Sequence, residues 1–192
     1  MSKKCYNIQV RGGHIMKGKT HIIGGVASSL AVAHFTYADP VLLIGAGIAG
    51  SLIPDICHGG SKIGKTFPVL SKLINFVFGH RSFTHSLLFI VLIAFLVDYF
   101  FPNDALKLGL ITGMISHYIL DMATKSGIQL FFPISFKVRF PITTRTGSFA
   151  ENIIFGLLCL VSLYFGFQVL GVYIFNFIND FNMGELLAKP VY

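Results

Sequence analysis

Gly79-His80-Arg81-Ser82-Phe83-Thr84-His85-Ser86 runs straight into Leu87-Leu88-Phe89-Ile90-Val91-Leu92-Ile93-Ala94-Phe95-Leu96-Val97. Two imidazoles, a guanidinium and three hydroxyls therefore stand at the lip of an apolar run. His80 and His85 are five positions apart, about 140° around a helix, so one continuous helix does not aim both at one point. A turn followed by a helix does. The stretch reads as a loop carrying His80 and a helix carrying His85 in its first turn, with Ser82 or Thr84 capping the free N–H groups. Two solvated loop histidines beside a cap are the competing reading of these eight residues taken alone.

The chain around this stretch is 54% hydrophobic and 12% charged over 192 residues, too apolar for a soluble domain of this size. It reads as an all-α polytopic membrane protein of about five hydrophobic helices. The strongest segments are Ser86 to Phe101, Leu106 to about Met122, and Asn152 to about Ile178. The last is long enough for a bilayer core, which takes about 20 residues. His21 to Phe35 and Val41 to Pro54 are shorter and rich in Gly, Ala and Ser. They suit either a tightly packed helical pair or a re-entrant hairpin.

Residues 16–178 read as one membrane-embedded domain and 179–192 as a short tail. Met1 to Lys19 holds five basic residues and no apolar core, unlike a secretory signal. Met16-Lys17-Gly18-Lys19-Thr20-His21 has the look of a natural start, so residues 1–15 read as an extension or a misassigned start. Cys5, Cys57 and Cys159 form no CxxC pair, which argues against a disulfide framework and a cysteine zinc knuckle.

The net charge of +7 does not point to nucleic acid, because no basic helix or basic-aromatic repeat accompanies it. Its distribution points to a membrane. With a cytoplasmic N-terminus and five crossings, 13 of the 15 Lys and Arg residues fall on the cytoplasmic side, and only Lys107 and Lys189 on the other. That bias matches the positive-inside rule.

Under this topology His21, Asp55, His58, His80, His85, His117 and Asp121 all lie at cytoplasmic ends of segments. His117 and Asp121 are about 40° apart on one helix face. Asp55 follows directly on an apolar segment, where an uncompensated carboxylate is costly. Each also has an ordinary reading: an interfacial His21, a helix-ending Pro54-Asp55 turn, a His117–Asp121 clip between helices. Taken together, imidazoles and carboxylates without a thiolate cluster suit one or two divalent ions, Zn²⁺, Mn²⁺ or Fe²⁺. The expected ligands are His21, Asp55, His85, His117 and Asp121. His58 and His80 are expected to complete a second ion or to transfer protons, and Arg81 to clamp an anionic group. Glu151 reads equally as a helix N-terminal charge or another site carboxylate. Phe136, Val138 and Phe140, alternating with Lys137 and Arg139, suggest a short extended interfacial segment that gates or floors a site.

The ordered motifs KTHxxGG, PDICH, GHRSFTHSLL, ISHYILDMATKSGIQLFFP, FKVRFP and GSxxE, from about Met16 to Glu151, resemble the YdjM-like family of bacterial membrane-bound metal-dependent hydrolases. The resemblance implies a multi-pass inner-membrane hydrolase, and it puts His21, Asp55, His58, His80, His85, His117 and Asp121 on the family's characteristic polar positions. Two positions depart. Cys57 stands where the family has a second Asp in PDIDH, and Ser82 where it has Gly in HRGxTHS.

The expectation is thus a hydrolase of a membrane lipid or lipid-linked substrate, phosphoester favoured, using a metal-activated water. The main alternative is a non-catalytic metal-binding membrane protein or transporter whose His and Asp residues bind ions or clip helices. Transport predicts polar residues spread through the bilayer depth, whereas these gather at one face. Haem ligation ranks last, because only His117 sits well inside a strong helix.

Overall fold

A computed structural model describes residues 16–36, 38–79 and 81–187. Residues 1–15 and His80 lie outside them. The described residues form seven α-helices, two 3₁₀ turns and no strand beyond two isolated bridges. The helices are α1 (Gly18–Phe35), α2 (Pro40–Leu52), α3 (Lys62–Thr66), α4 (Pro68–Phe78), α5 (Leu87–Phe100), α6 (Asp104–Met122) and α7 (Phe149–Leu187). One 3₁₀ turn, Ile53–Cys57, continues α2, and the other, Phe83–His85, precedes α5.

Local signals set several of these boundaries. Asp39 accepts from the Leu42 amide at 2.9 Å and Pro40 fills the first helical position of α2. Asn103 caps α6 through the Leu106 amide at 3.0 Å. The cap of α5 is Ser86, not Ser82 or Thr84, because Phe83–His85 close a 3₁₀ turn of their own. His85 accordingly sits just before the helix rather than in its first turn.

Each of the five expected apolar segments forms a helix: α1, α2, α5, α6 and α7. Two stretches among the described residues are long and apolar enough to cross a membrane, Pro40–Cys57 and Phe149–Asn176. The first exceeds the sequence expectation because the Ile53–Cys57 turn prolongs α2. The long α7 turns most of its surface outward, with Leu160, Leu163, Phe167 and Phe175 exposed. An apolar face of that extent calls for a non-aqueous surrounding or a partner.

Helices α1, α2 and α6 approach more closely than side chains ordinarily permit. The Gly47 carbonyl is the meeting point. A Cβ on Gly25 of α1 falls 2.7 Å from that oxygen, and a Cβ on Gly113 of α6 collides with it from the other side. Small residues at such a crossing allow backbone contact in place of side-chain interdigitation. The result brings the start of α1, the end of α2 and the end of α6 to the same end of the bundle.

Two further devices close that end. Glu151, in the first turn of α7, is buried and accepts from the Lys17 amide at 2.8 Å, the Thr20 hydroxyl at 3.1 Å and the Gly147 amide. Of its two expected readings, the geometry gives an architectural one: the carboxylate satisfies the N-terminus of α1, which has no side-chain cap of its own. The connection 123–148 forms a strap. Ile128 and Val138 exchange backbone hydrogen bonds at 3.1 and 2.8 Å, the Gln129 amide donates to the Arg81 carbonyl, and the Leu87 amide donates to the Leu130 carbonyl. Phe136 and Phe140 face outward while Ile128 is fully buried, so the alternating segment braces the Arg81–Ser86 turn.

The packing makes a paired prediction. Gly113→Ala should destabilise the protein by about 1–3 kcal/mol through overpacking. Gly45→Ala, where an added Cβ meets nothing within 4 Å, should be neutral or stabilising by about 0.5–1 kcal/mol from reduced backbone freedom. Thermal unfolding of both variants in detergent measures the difference, and equal melting temperatures would remove the close-approach account.

Candidate metal centre

The site is assembled from four helix or turn ends. His21 lies in the first turn of α1, Asp55 in the 3₁₀ turn after α2, His85 in the turn before α5, and His117 and Asp121 in the last turns of α6. His85, His117 and Asp121 are fully buried, His21 is 1% exposed and Asp55 6%. All five expected ligands therefore come together, although a hundred positions separate the first from the last.

Hydrogen bonding fixes the imidazole orientations. His117 Nδ1 lies 2.7 Å from the Ser51 carbonyl, which can only accept, so the proton sits on Nδ1 and the lone pair of the neutral ring on Nε2. His85 Nδ1 lies 3.1 Å from the Thr84 hydroxyl, which leaves its Nε2 facing inward. The two Nε2 atoms are 3.2 Å apart. Two imidazole lone pairs at that distance repel unless a proton or a cation stands between them. Burial, the largest influence on His85, pushes its pKa below the ordinary value and so favours the neutral ring a metal requires.

Two carboxylates complete the cluster. Asp121 Oδ2 lies 3.3 Å from His85 Nε2 and 3.6 Å from His117 Nε2, and Asp55 Oδ1 lies 3.9 Å from both. The edges among His85 Nε2, His117 Nε2 and Asp121 Oδ2, 3.2, 3.3 and 3.6 Å, lie near the edge of about 3.3 Å that a tetrahedral site with ligand distances of about 2.0–2.1 Å has, and Asp55 Oδ1 stands wider of both imidazoles. Asp55 Oδ1, Asp121 Oδ2 and both His21 nitrogens are buried without a hydrogen-bond partner among the described residues. Orphaned acceptors this concentrated fit a bound cation better than a finished hydrogen-bond network. Among the described residues, the groups spaced to hold an ion are His21, His117 and Asp121, and Asp55, His85 and His117.

The remaining expected residues are placed as follows. His21 stacks on His117 with ring centroids 3.9 Å apart and its Nε2 3.6 Å from Asp121 Oδ1. The guanidinium expected to clamp an anion is 5% exposed and turned inward. Arg81 donates to Asp121 Oδ1 at 2.6 Å and to the Thr124 hydroxyl at 2.9 Å, from a backbone with φ +61°. His58 caps the Ile53–Cys57 turn and lines a cavity of about 370 Å³ that Asp55 also lines. Cys57, one of the two family departures, is fully buried beneath the site, and Ser82 donates to the Phe78 carbonyl.

Three supporting residues were not singled out from the sequence as parts of the site. The Ser51 carbonyl and the Thr84 and Thr124 hydroxyls orient His117, His85 and Arg81. Thr84 and Thr124 adjoin the polar motifs and were within reach of inspection. Ser51 acts through its backbone, which leaves no trace in residue type. Tyr118 holds the same turn by donating to the Thr84 and Ser86 carbonyls at 2.9 and 3.1 Å.

The Bacillus subtilis uncharacterized protein YvsG is 49% identical over 154 residues, covering 80% of this chain and 96% of that protein. The Escherichia coli inner membrane protein YdjM is 40% identical over 140 residues, covering 66% of this chain and 70% of that protein, and the Shigella flexneri inner membrane protein YdjM matches to the same extent. No solved structure matches. The family profile described as YdjM inner membrane protein spans residues 16–178, the stretch that carries every residue of the buried cluster, and the chain belongs to that family.

Proposed function

We propose that this chain is a metal-dependent hydrolase of the bacterial inner membrane, acting on a lipid-linked or amphipathic phosphoester. The observation that carries this reading is the convergence of the His85 and His117 Nε2 atoms with two buried carboxylates. One ion is favoured over two, because the His117 Nδ1 is engaged by Ser51 and leaves a single nitrogen for coordination. The donors, two imidazoles and two carboxylates, suit Zn²⁺, Mn²⁺ or Fe²⁺. What such an ion supplies is Lewis acidity toward a phosphoryl oxygen and a water that deprotonates near neutral pH.

The chain's own residues do the rest. The Ser51 carbonyl fixes the His117 tautomer with its lone pair on Nε2, and the Thr84 hydroxyl orients the His85 ring with Nε2 inward. Arg81 acts as a positioning residue, holding Asp121 by a charge-assisted hydrogen bond. The bulk of the cluster is sealed from water, and Asp55 is its edge toward the cavity. His58, in the wall of that cavity, is placed to move a proton to or from a bound group.

The membrane arrangement proposed with it has five crossing helices, α1, α2, α5, α6 and α7, and a cytoplasmic N-terminus, so that the cluster opens to the cytoplasm. The distribution of Lys and Arg supports it. The amphipathic α4, with Val69, Leu73 and Phe76 exposed, then lies along the membrane surface.

Two measurements test these readings. Metal analysis by inductively coupled plasma mass spectrometry should find about one equivalent of a transition metal in the wild type, and a loss of ten-fold or more in occupancy in His85→Ala and His117→Ala. Hydrolysis of lipid phosphoesters should fall with it. Absence of metal after reconstitution with Zn²⁺, Mn²⁺ or Fe²⁺ would return the cluster to a helix clip. Alkaline phosphatase fused after Asn103 should be active and after Gly60 inactive. The reverse pattern would invert the topology.

A further inference from the structure

The cavity at Asp55 has a composition that the cluster itself does not explain. It is bounded on one side by Gly18 and Lys19 of α1 and on the other by His58, Ser61 and Lys62. Asp55 is the one carboxylate in its wall, and its Oδ1 is turned toward His85 and His117. Lys19 and Lys62 are exposed and form no ion pair with a carboxylate among the described residues. The Lys19 ammonium stands 4.8 Å over the Phe155 ring, which holds it at the α1–α7 side of the opening. Leu52 and Ile63, both half-buried, add apolar surface to the lining.

This is also the side from which the cluster is reached. Asp55 is the most exposed of the five clustered residues and the one that borders the cavity, while the other four are sealed. A group that approaches Asp55 through this cavity meets two ammonium groups without a carboxylate partner and apolar surface beside them. Arg81, by contrast, is committed to Asp121 and Thr124 and is not available to an incoming anion.

Resting on the hydrolase reading above, we infer that Lys19 and Lys62 form the anion gate of this site. They read the phosphate of the substrate at the mouth of the cavity, and Leu52 and Ile63 take the first carbons of the group that carries it. The ligand class is a phosphate monoester or diester. A free phosphate metabolite and a lipid headgroup share that chemistry.

Equilibrium dialysis of ³²P-labelled inorganic phosphate against the full-length protein in neutral detergent tests the inference, with bound metal measured on the same samples. The Lys19→Ala/Lys62→Ala double variant should keep the wild-type metal content and bind phosphate about ten-fold or more weakly, whereas Lys19→Arg/Lys62→Arg should retain binding. Unchanged phosphate binding in the alanine double variant, or none in the wild type, overturns the gate while leaving the metal reading intact. A wild type without metal overturns the hydrolase reading, and the dialysis still decides the gate. Displacement by dihexanoyl phosphatidic acid at lower concentration than by glycerol 3-phosphate assigns the site to a lipid headgroup; equal displacement assigns it to a soluble phosphate ester and removes the apolar contact.

Discussion

Asp55 and Asp121 are withdrawn from water at the end of an apolar bundle, and among the described residues Arg81 pairs with Asp121 there. A buried charge of this kind is costly unless paired and hydrogen-bonded. The Arg81–Asp121 pair answers half of that requirement. The other half is left to the three imidazoles, two of which bring their Nε2 atoms to 3.2 Å. The whole end of the molecule is shaped by this need. The strap fixes the Arg81 carbonyl, Tyr118 fixes the Thr84–Ser86 turn, and Ser51 fixes His117, so that the ligands are held in place before any ion arrives.

That preorganisation depends on packing some distance away. The crossing of α1, α2 and α6 at Gly47 brings backbone against backbone with only the small Ser29 and Ser51 side chains beside it, which sets the helix separation and so the spacing among His21, Asp55 and His117. Helix ends converge only if their axes do. The Glu151 clasp works in the same direction, because its carboxylate ties the start of α1 to the start of α7 through the Lys17 amide, the Thr20 hydroxyl and the Gly147 amide. A buried carboxylate here serves the fold, whereas the carboxylates of Asp55 and Asp121 are left with unpartnered oxygens. The distinction between the two uses is one of satisfaction, not of residue type.

The protein combines a sealed cluster with an open, basic antechamber. On the readings proposed above, the separation has a physical logic: strong coordination wants low dielectric and fixed donors, while recognition of a phosphate wants hydrated ammonium groups at the mouth. Placing Lys19 and Lys62 at the mouth and Arg81 inside assigns each cation to the task its chemistry suits.

The sequence by itself determined the helical class, the five apolar segments and the membership of His21, Asp55, His85, His117 and Asp121 in one cluster. These are legible because period, length and the rarity of ionisable groups in apolar segments are local properties. The function of Glu151, the inward turn of Arg81, the shift of the α5 cap to Ser86 and the role of the Ser51 carbonyl were decided by tertiary structure alone. Each depends on which atom lies across from it, and a chain read in order carries no record of the distance between residues 17 and 151 or 51 and 117.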